Sequence, residues 1–338
     1  MKNPGALFII MTVFLFFPSG SYAATGQLNY EWQLIGGYSD NDQWIGKRTE
    51  SIKNAIGLEY YKKFSNEYGD THAMDIQMRF SYDSLDSSNE AWALEIHNAW
   101  LDYKLGLGQK VRLGHFDPLF GLEPTLDTHA TLFQSLASKN IGFKKDWGIS
   151  YSGFLGEYDY GIAAQLGSGM SVRSREGSHL LTGRISSPTR EDFHYGLSLL
   201  YGKVLESDEK QTFPVAELTS DEAILKKRIG LDAQYLMSSH VFKGEVAYGS
   251  DEDKNVLGLL TQWDYLVPSI QNLEFQVQAQ SWSRDVSESN LWDTMLGAGL
   301  SFKINSELTL RTAYFQDLEV SQGEKDKQFI VQLYYFGF

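Results

Sequence analysis

From Leu273 to Gln280 the chain reads Leu-Glu-Phe-Gln-Val-Gln-Ala-Gln, a strict alternation of apolar and polar residues. Successive side chains of a β-strand point to opposite faces, so this segment reads as a strand with oil on one side and water on the other. The same beat returns at 74–83, where Met74, Ile76, Met78, Phe80 and Tyr82 alternate with Asp75, Gln77, Arg79, Ser81 and Asp83. Alternation alone suits two architectures. A soluble sandwich turns the apolar face inward, whereas a membrane barrel turns it outward.

The two ends of the sequence favour the barrel. Lys2 precedes an apolar segment at 6–17, Pro18-Ser19-Gly20 breaks it, and Ser21-Tyr22-Ala23 forms a small-x-small cleavage pattern. Residues 1–23 are therefore expected to be a secretory signal peptide, with 24–338 as the mature chain. The apolar segment falls short of the roughly 20 residues that a membrane-spanning helix needs, and nothing after Ala24 approaches that length. At the other end the chain closes on Tyr334, Phe336 and Phe338, alternate aromatics that resemble the signal read by the bacterial barrel-assembly machinery.

Composition narrows the classes further. The absence of cysteine removes lipoprotein anchoring, disulfides, thiolate metal sites and covalent haem attachment. A net charge of −14, one unit more negative without Lys2, argues against nucleic acid as a partner. Aromatics make up 14% of the chain, including 19 Tyr and 20 Phe, which suits the two interfacial girdles of a barrel.

Alternation and turn residues together predict sixteen strands. In the first half they lie at 27–38, 50–64, 69–83, 91–105, 109–116, 140–154, 157–167 and 176–187. The second half adds 191–204, 224–236, 239–249, 254–266, 271–284, 291–303, 306–316 and 327–338. The gaps alternate between tight turns and generally longer loops, with 117–139 the longest, and no proline falls inside a strand. The expected fold is all-β, a 16-stranded antiparallel transmembrane β-barrel in the bacterial outer membrane with both chain ends on the periplasmic side.

Three stretches carry a family resemblance. Tyr103-Lys104-Leu105-Gly106 leads through Lys110-Val111-Arg112-Leu113-Gly114-His115-Phe116 into Asp117-Pro118-Leu119-Phe120-Gly121-Leu122-Glu123. The second is 147–153, and the third is 230–235 followed by Gly244-Glu245-Val246. Together they resemble the phosphate-selective porin O and P family, loosely over most of the mature chain. The resemblance implies a sixteen-stranded, often trimeric porin whose third loop folds into the barrel. It does not carry phosphate selectivity here, because loop 117–139 holds Lys139 as its one Lys or Arg against Asp117, Glu123 and Asp127.

If Phe80 and its alternates face lipid, the other residues of each strand face the lumen. The pore constriction is then expected to set Asp117, Glu123 and Asp127 of the infolded loop against Arg79, Lys110, Arg112, Lys144 and Arg184 of the wall. Further wall positions are Asp75, Arg228, Asp232, Glu245, Glu274 and Arg311. Charges separated across a narrow passage order water and favour polar solutes. The expected activity is passive diffusion of small hydrophilic solutes or ions, with mild cation preference and no bound cofactor. Acidic loops such as Asp251-Glu252-Asp253 form an expected rim toward lipopolysaccharide.

Two other classes remain open at this point. One is a barrel serving as a sleeve or anchor for a partner protein; the other is an outer-membrane hydrolase, since a Ser-His pair assembled across strands leaves no sequence signal. The seven histidines show no His-Glu-x-x-His spacing, so no metal site is expected.

Overall fold

The computed structural model describes residues 26–49, 52–83, 85, 91–106, 108–126, 131–170, 172, 174, 176–205, 223–288 and 290–338. The expected signal peptide lies outside them. Among the described residues eighteen strands form a single antiparallel sheet. The first is β1 (Gly26–Ser39), and two short strands, β2 (Gln43–Ile45) and β3 (Lys47–Thr49), fold within the first loop. Next come β4 (Ile52–Asn66), β5 (Gly69–Tyr82), β6 (Trp92–Gly106), β7 (Gln109–Phe116), β8 (Asp146–Leu155) and β9 (Tyr158–Gln165). After these run β10 (His179–Ser186), β11 (Phe193–Leu205), β12 (Ala223–Met237), β13 (His240–Asp251) and β14 (Lys254–Leu266). The sheet ends with β15 (Leu273–Ser283), β16 (Trp292–Lys303), β17 (Leu308–Glu319) and β18 (Lys327–Gly337).

Strand β18 pairs with β1 from Tyr30↔Gly337 to Ser39↔Gln328, which closes a barrel of sixteen long strands. Closure leaves no long-strand edge unpaired, the condition for placing strands in lipid.

Alternation decides which residues face out. On β11, Phe193, Tyr195, Leu197, Leu199 and Tyr201 are exposed, while His194, Ser198 and Leu200 are buried. On β5 the outward Phe80 is 46% exposed, and Asp75, Gln77, Arg79 and Ser81 are buried. Met74 shares the outward face of Phe80, although its neighbours nearly cover it. A one-residue bulge in β6, where Gln77 pairs with Asn98 and Met78 with Ile96, switches the alternation at His97. The outer face is predominantly apolar, and the inner face carries most of the buried polar and charged side chains. A surface of that kind is stable in hydrocarbon and unstable in water. Placing a cation there by Leu231→Arg, at a position 58% exposed on the outer wall, is expected to cost roughly 2–4 kcal/mol in urea unfolding from lipid vesicles.

No helix among the described residues is long and apolar enough to cross a membrane. Tight connections such as Gly156-Glu157 and Ser238-Ser239 gather at the rim that also holds the start of β1 and the end of β18. The longer connections gather at the opposite rim, with one departure. Loop 250–253 shortens to the two-residue turn Glu252-Asp253, because β13 and β14 stay paired up to Asp251↔Lys254.

The expected strand 140–154 also changes. It begins at Asp146, and the third loop runs on to Lys145 through a one-turn helix, α1 (Ala137–Asn140). Ile141 and Phe143 mimic strand alternation but instead join Phe120, Leu180, Leu200, Val204 and Ala247 in an apolar cluster inside the barrel. Two further clusters fix the loop: Leu132 and Phe133 pack with Ile35, Ile330 and Phe315, and Leu122 and Leu136 pack with Leu260. The third loop is therefore joined to the wall by buried apolar clusters within the lumen.

Candidate functional site

The third loop can lie flat on that side because the wall beneath it is glycine. A Cβ at Gly230 would come within 2.8 Å of the Phe120 ring, and one at Gly297 or Gly299 within 2.9 Å of the Phe133 ring. At Gly258 a Cβ would crowd Trp282, with Leu136 at 3.2 Å. Gly121 supplies the left-handed turn, φ +63°, that presses the loop against Glu245.

Glu245 is buried and accepts hydrogen bonds from the Leu122 amide at 3.1 Å and from Asn140 Nδ2 at 2.9 Å. Gln278 donates to the Gln134 carbonyl at 3.1 Å, and Gln280 donates to the same oxygen. The Pro118-Leu119-Phe120-Gly121-Leu122-Glu123 segment is thus an anchor. Gly230→Val is expected to cost roughly 1–3 kcal/mol by overpacking, read as a lower thermal midpoint, and adding Phe120→Ala should recover part of the loss.

Opposite the sealed side, between the loop and β4–β7 with β17 and β18, a polar cavity of about 570 Å³ remains. Four carboxylates line it, Glu59, Asp75, Asp117 and Glu123, with four cations, Arg112, Lys144, Lys145 and Arg311. Trp100, Tyr334 and Phe336 add aromatic surface.

Most of these charges are matched locally. Arg112 grips Asp102 with Nε at 2.6 Å and an amino nitrogen at 2.8 Å, and stacks on Trp100 with its guanidinium carbon 3.8 Å from the ring centroid. Lys110 joins Asp102 at 3.2 Å. Lys145 holds Asp117 at 2.7 Å, and Lys144 lies 3.8 Å from Glu123, which also accepts from the Ser135 hydroxyl. Burial pulls the Lys144 ammonium below the ordinary lysine range, with Glu123 opposing that shift. Arg311 donates to Gln332 at 3.0 Å beside the Tyr334 ring.

Glu59 and Asp75 differ from the rest. Their hydrogen bonds come from amides, Asn29 to Glu59 at 2.7 Å and Asn98 to Asp75 at 2.9 Å, and neither has an ion-pair partner among the described residues.

The expected site residues therefore divide. Asp75, Asp117, Glu123, Arg112, Lys144 and Arg311 meet at the cavity. Lys144 does so from the loop instead of the wall, since β8 starts after it, so it stands beside Glu123 and not across from it. Arg79 pairs with Glu31 at 2.8 Å within the wall. Arg184 lies under the sealed side, bound to Asp232 at 2.5 Å and donating to the Gly121 carbonyl at 3.2 Å. Arg228 pairs with Asp251 at 2.5 Å, and Glu274 accepts from Gln276 at 3.2 Å, both away from the cavity. Asp127 lies outside the described residues. Lys145 was not expected at the site, although its doublet with Lys144 is the signal that could have flagged it. The glycine-floored half of the wall was also missed; glycines at lumen-facing positions of β12, β14 and β16 mark it.

The closed sixteen-stranded barrel narrowed by an infolded third loop is similar in fold to solved structures. No protein-family model matches the sequence, and no curated protein does. Solved structures do. An anion-selective porin from Comamonas acidovorans superposes with a TM-score of 0.65 over 93% of this chain and 100% of its own, at 11% identity. The fold is that of the bacterial outer-membrane porins. OmpT, an outer membrane protein of Vibrio cholerae in its trimer form, gives 0.64 at 10% identity, covering 93% of this chain and 100% of that one. The outer membrane channel DcaP of Acinetobacter baumannii gives 0.58 at 14% identity, covering 93% and 97%.

Proposed function

We propose that this porin-fold chain is an outer-membrane channel that passes small hydrophilic solutes and ions by diffusion. The observation that carries the reading is the polar cavity left where the third loop seals one side of the lumen and stands off the other. A lumen closed on all sides would suit a sleeve or anchor; a charged opening suits permeation. Kinship with the phosphate-selective family rests on the sequence segments quoted above, and the anchoring role of 118–123 accounts for the strongest of them without any phosphate contact. A homotrimer is part of the proposal, by analogy with the trimer form of OmpT.

Cation preference is proposed on new grounds. The carboxylates of Glu59 and Asp75 face the cavity with amide partners alone, whereas Arg112, Lys144 and Lys145 stand against carboxylates. Lining carboxylates and lining cations are equal in number, so the preference rests on how they are engaged: carboxylates held by amides present negative oxygens to the passage and enrich cations there. Single-channel recording in a planar bilayer under asymmetric KCl tests both parts. Discrete conductance with a reversal potential of cation-selective sign is expected, and the Glu59→Gln/Asp75→Asn double variant should move that potential toward the anion side. A barrel that never conducts would end the channel reading in favour of a sleeve.

A further inference from the structure

The outward faces of β8–β13 contain no Asp or Glu among the described residues, yet Lys203 and Lys227 project from them. Both lie near the rim of the longer loops, where β11 ends and β12 begins. The registers place them together: His179 pairs with Lys203, and Tyr201, two residues before Lys203, pairs with Lys227. Same-face diagonal neighbours of this kind lie about 7–8 Å apart. The His179 and Tyr201 rings sit 6.3 Å apart beside them. Neither lysine has an ion-pair partner among the described residues.

Below this basic pair, toward the middle of the wall, the outer surface is hollowed into an apolar groove of about 940 Å³. Its floor is made of small residues, Ala164 and Gly183, and its sides include Ile162, Leu181, Leu199 and Ile229, with Lys227 and Tyr201 at its upper end. A pair of like cations on a lipid-facing wall is costly in hydrocarbon and favourable where lipid phosphates lie.

We infer that the outer face of β10–β12 is a binding site for a phosphorylated glycolipid of the surrounding outer leaflet, its phosphate on Lys203 and Lys227 and an acyl chain in the groove over Gly183. Charge complementarity selects the headgroup, and the groove supplies apolar area for a chain. The site rests on the outer-membrane reading above and is independent of conduction.

Native mass spectrometry of the protein released from detergent micelles, titrated with bis-phosphorylated lipid A and with the same lipid stripped of phosphate, tests it. Wild type is expected to bind lipid A, and Lys203→Gln/Lys227→Gln to bind it roughly thirtyfold more weakly. Lys62→Gln, a lysine near the opposite rim, should bind as wild type does. The stripped lipid should bind wild type no better than lipid A binds the double variant. Equal binding of lipid A to wild type and double variant, or equal binding of both lipids to wild type, overturns the inference. Conductance of the double variant in a planar bilayer, expected at the wild-type level, keeps this outcome separate from that of the channel.

Discussion

Replacing Arg79 with methionine is expected to lower the stability of the folded barrel by roughly 3–5 kcal/mol, because it strands a buried carboxylate. Arg79 on β5 reaches across β4 to Glu31 on β1, and both side chains are almost wholly enclosed, 2% and 0% accessible. The residue between them in the register is Gly57, paired with Glu31 on one side and Arg79 on the other. A Cβ at Gly57 would lie 3.1 Å from the Arg79 side chain, so the guanidinium crosses the strand only because glycine leaves room. Gln77 donates to Glu31 at 3.1 Å, a neutral partner that does not balance the carboxylate's charge. Urea unfolding from lipid vesicles measures the loss. Arg79→Met/Glu31→Leu should restore most of it, since an apolar pair of similar volume removes the uncompensated charge. A single variant as stable as wild type would show that water reaches Glu31.

Glu245→Ala is expected to release the third loop. Two hydrogen bonds to a carboxylate, from the Leu122 amide and from Asn140, are lost at roughly 1.5–3 kcal/mol each, and the turn at Gly121 loses the surface it leans on. In single-channel recordings the variant should show larger and noisier conductance. Glu245→Gln keeps an acceptor oxygen and should fall between the variant and wild type. Unchanged conductance and noise in Glu245→Ala would mean that the apolar clusters around Phe120, Phe133 and Leu136 hold the loop unaided.

The barrel was legible because alternation is a local property. The choice of Phe80 as outward settles Asp75, Gln77 and Arg79 as inward without knowledge of any other strand. The extent of the third loop was not legible, since Ile141 and Phe143 carry the same two-residue beat as a strand while packing against Phe120 and Leu180. Partners of the wall charges were invisible for a different reason. Arg184 and Asp232 are 48 residues apart and meet over Gly196, a juxtaposition created by the registers of three strands. Charge type can be read along a chain, but pairing across a sheet requires the closed registers. For that reason the expectation of loop acids facing wall cations gave way to short-range pairs, with Glu59 and Asp75 left as the carboxylates held by amides.

The join between β1 and β18 has a consequence for biogenesis. Gln332 donates to Gln33 at 3.0 Å across it, linking residues 299 positions apart. Pairing can run along the chain through every other seam, but this one closes only when the last strand is in place. Until Lys327 onward is in place, the edge of β1 that receives β18 keeps its amides and carbonyls unpaired, a ladder open to a strand from any neighbouring chain.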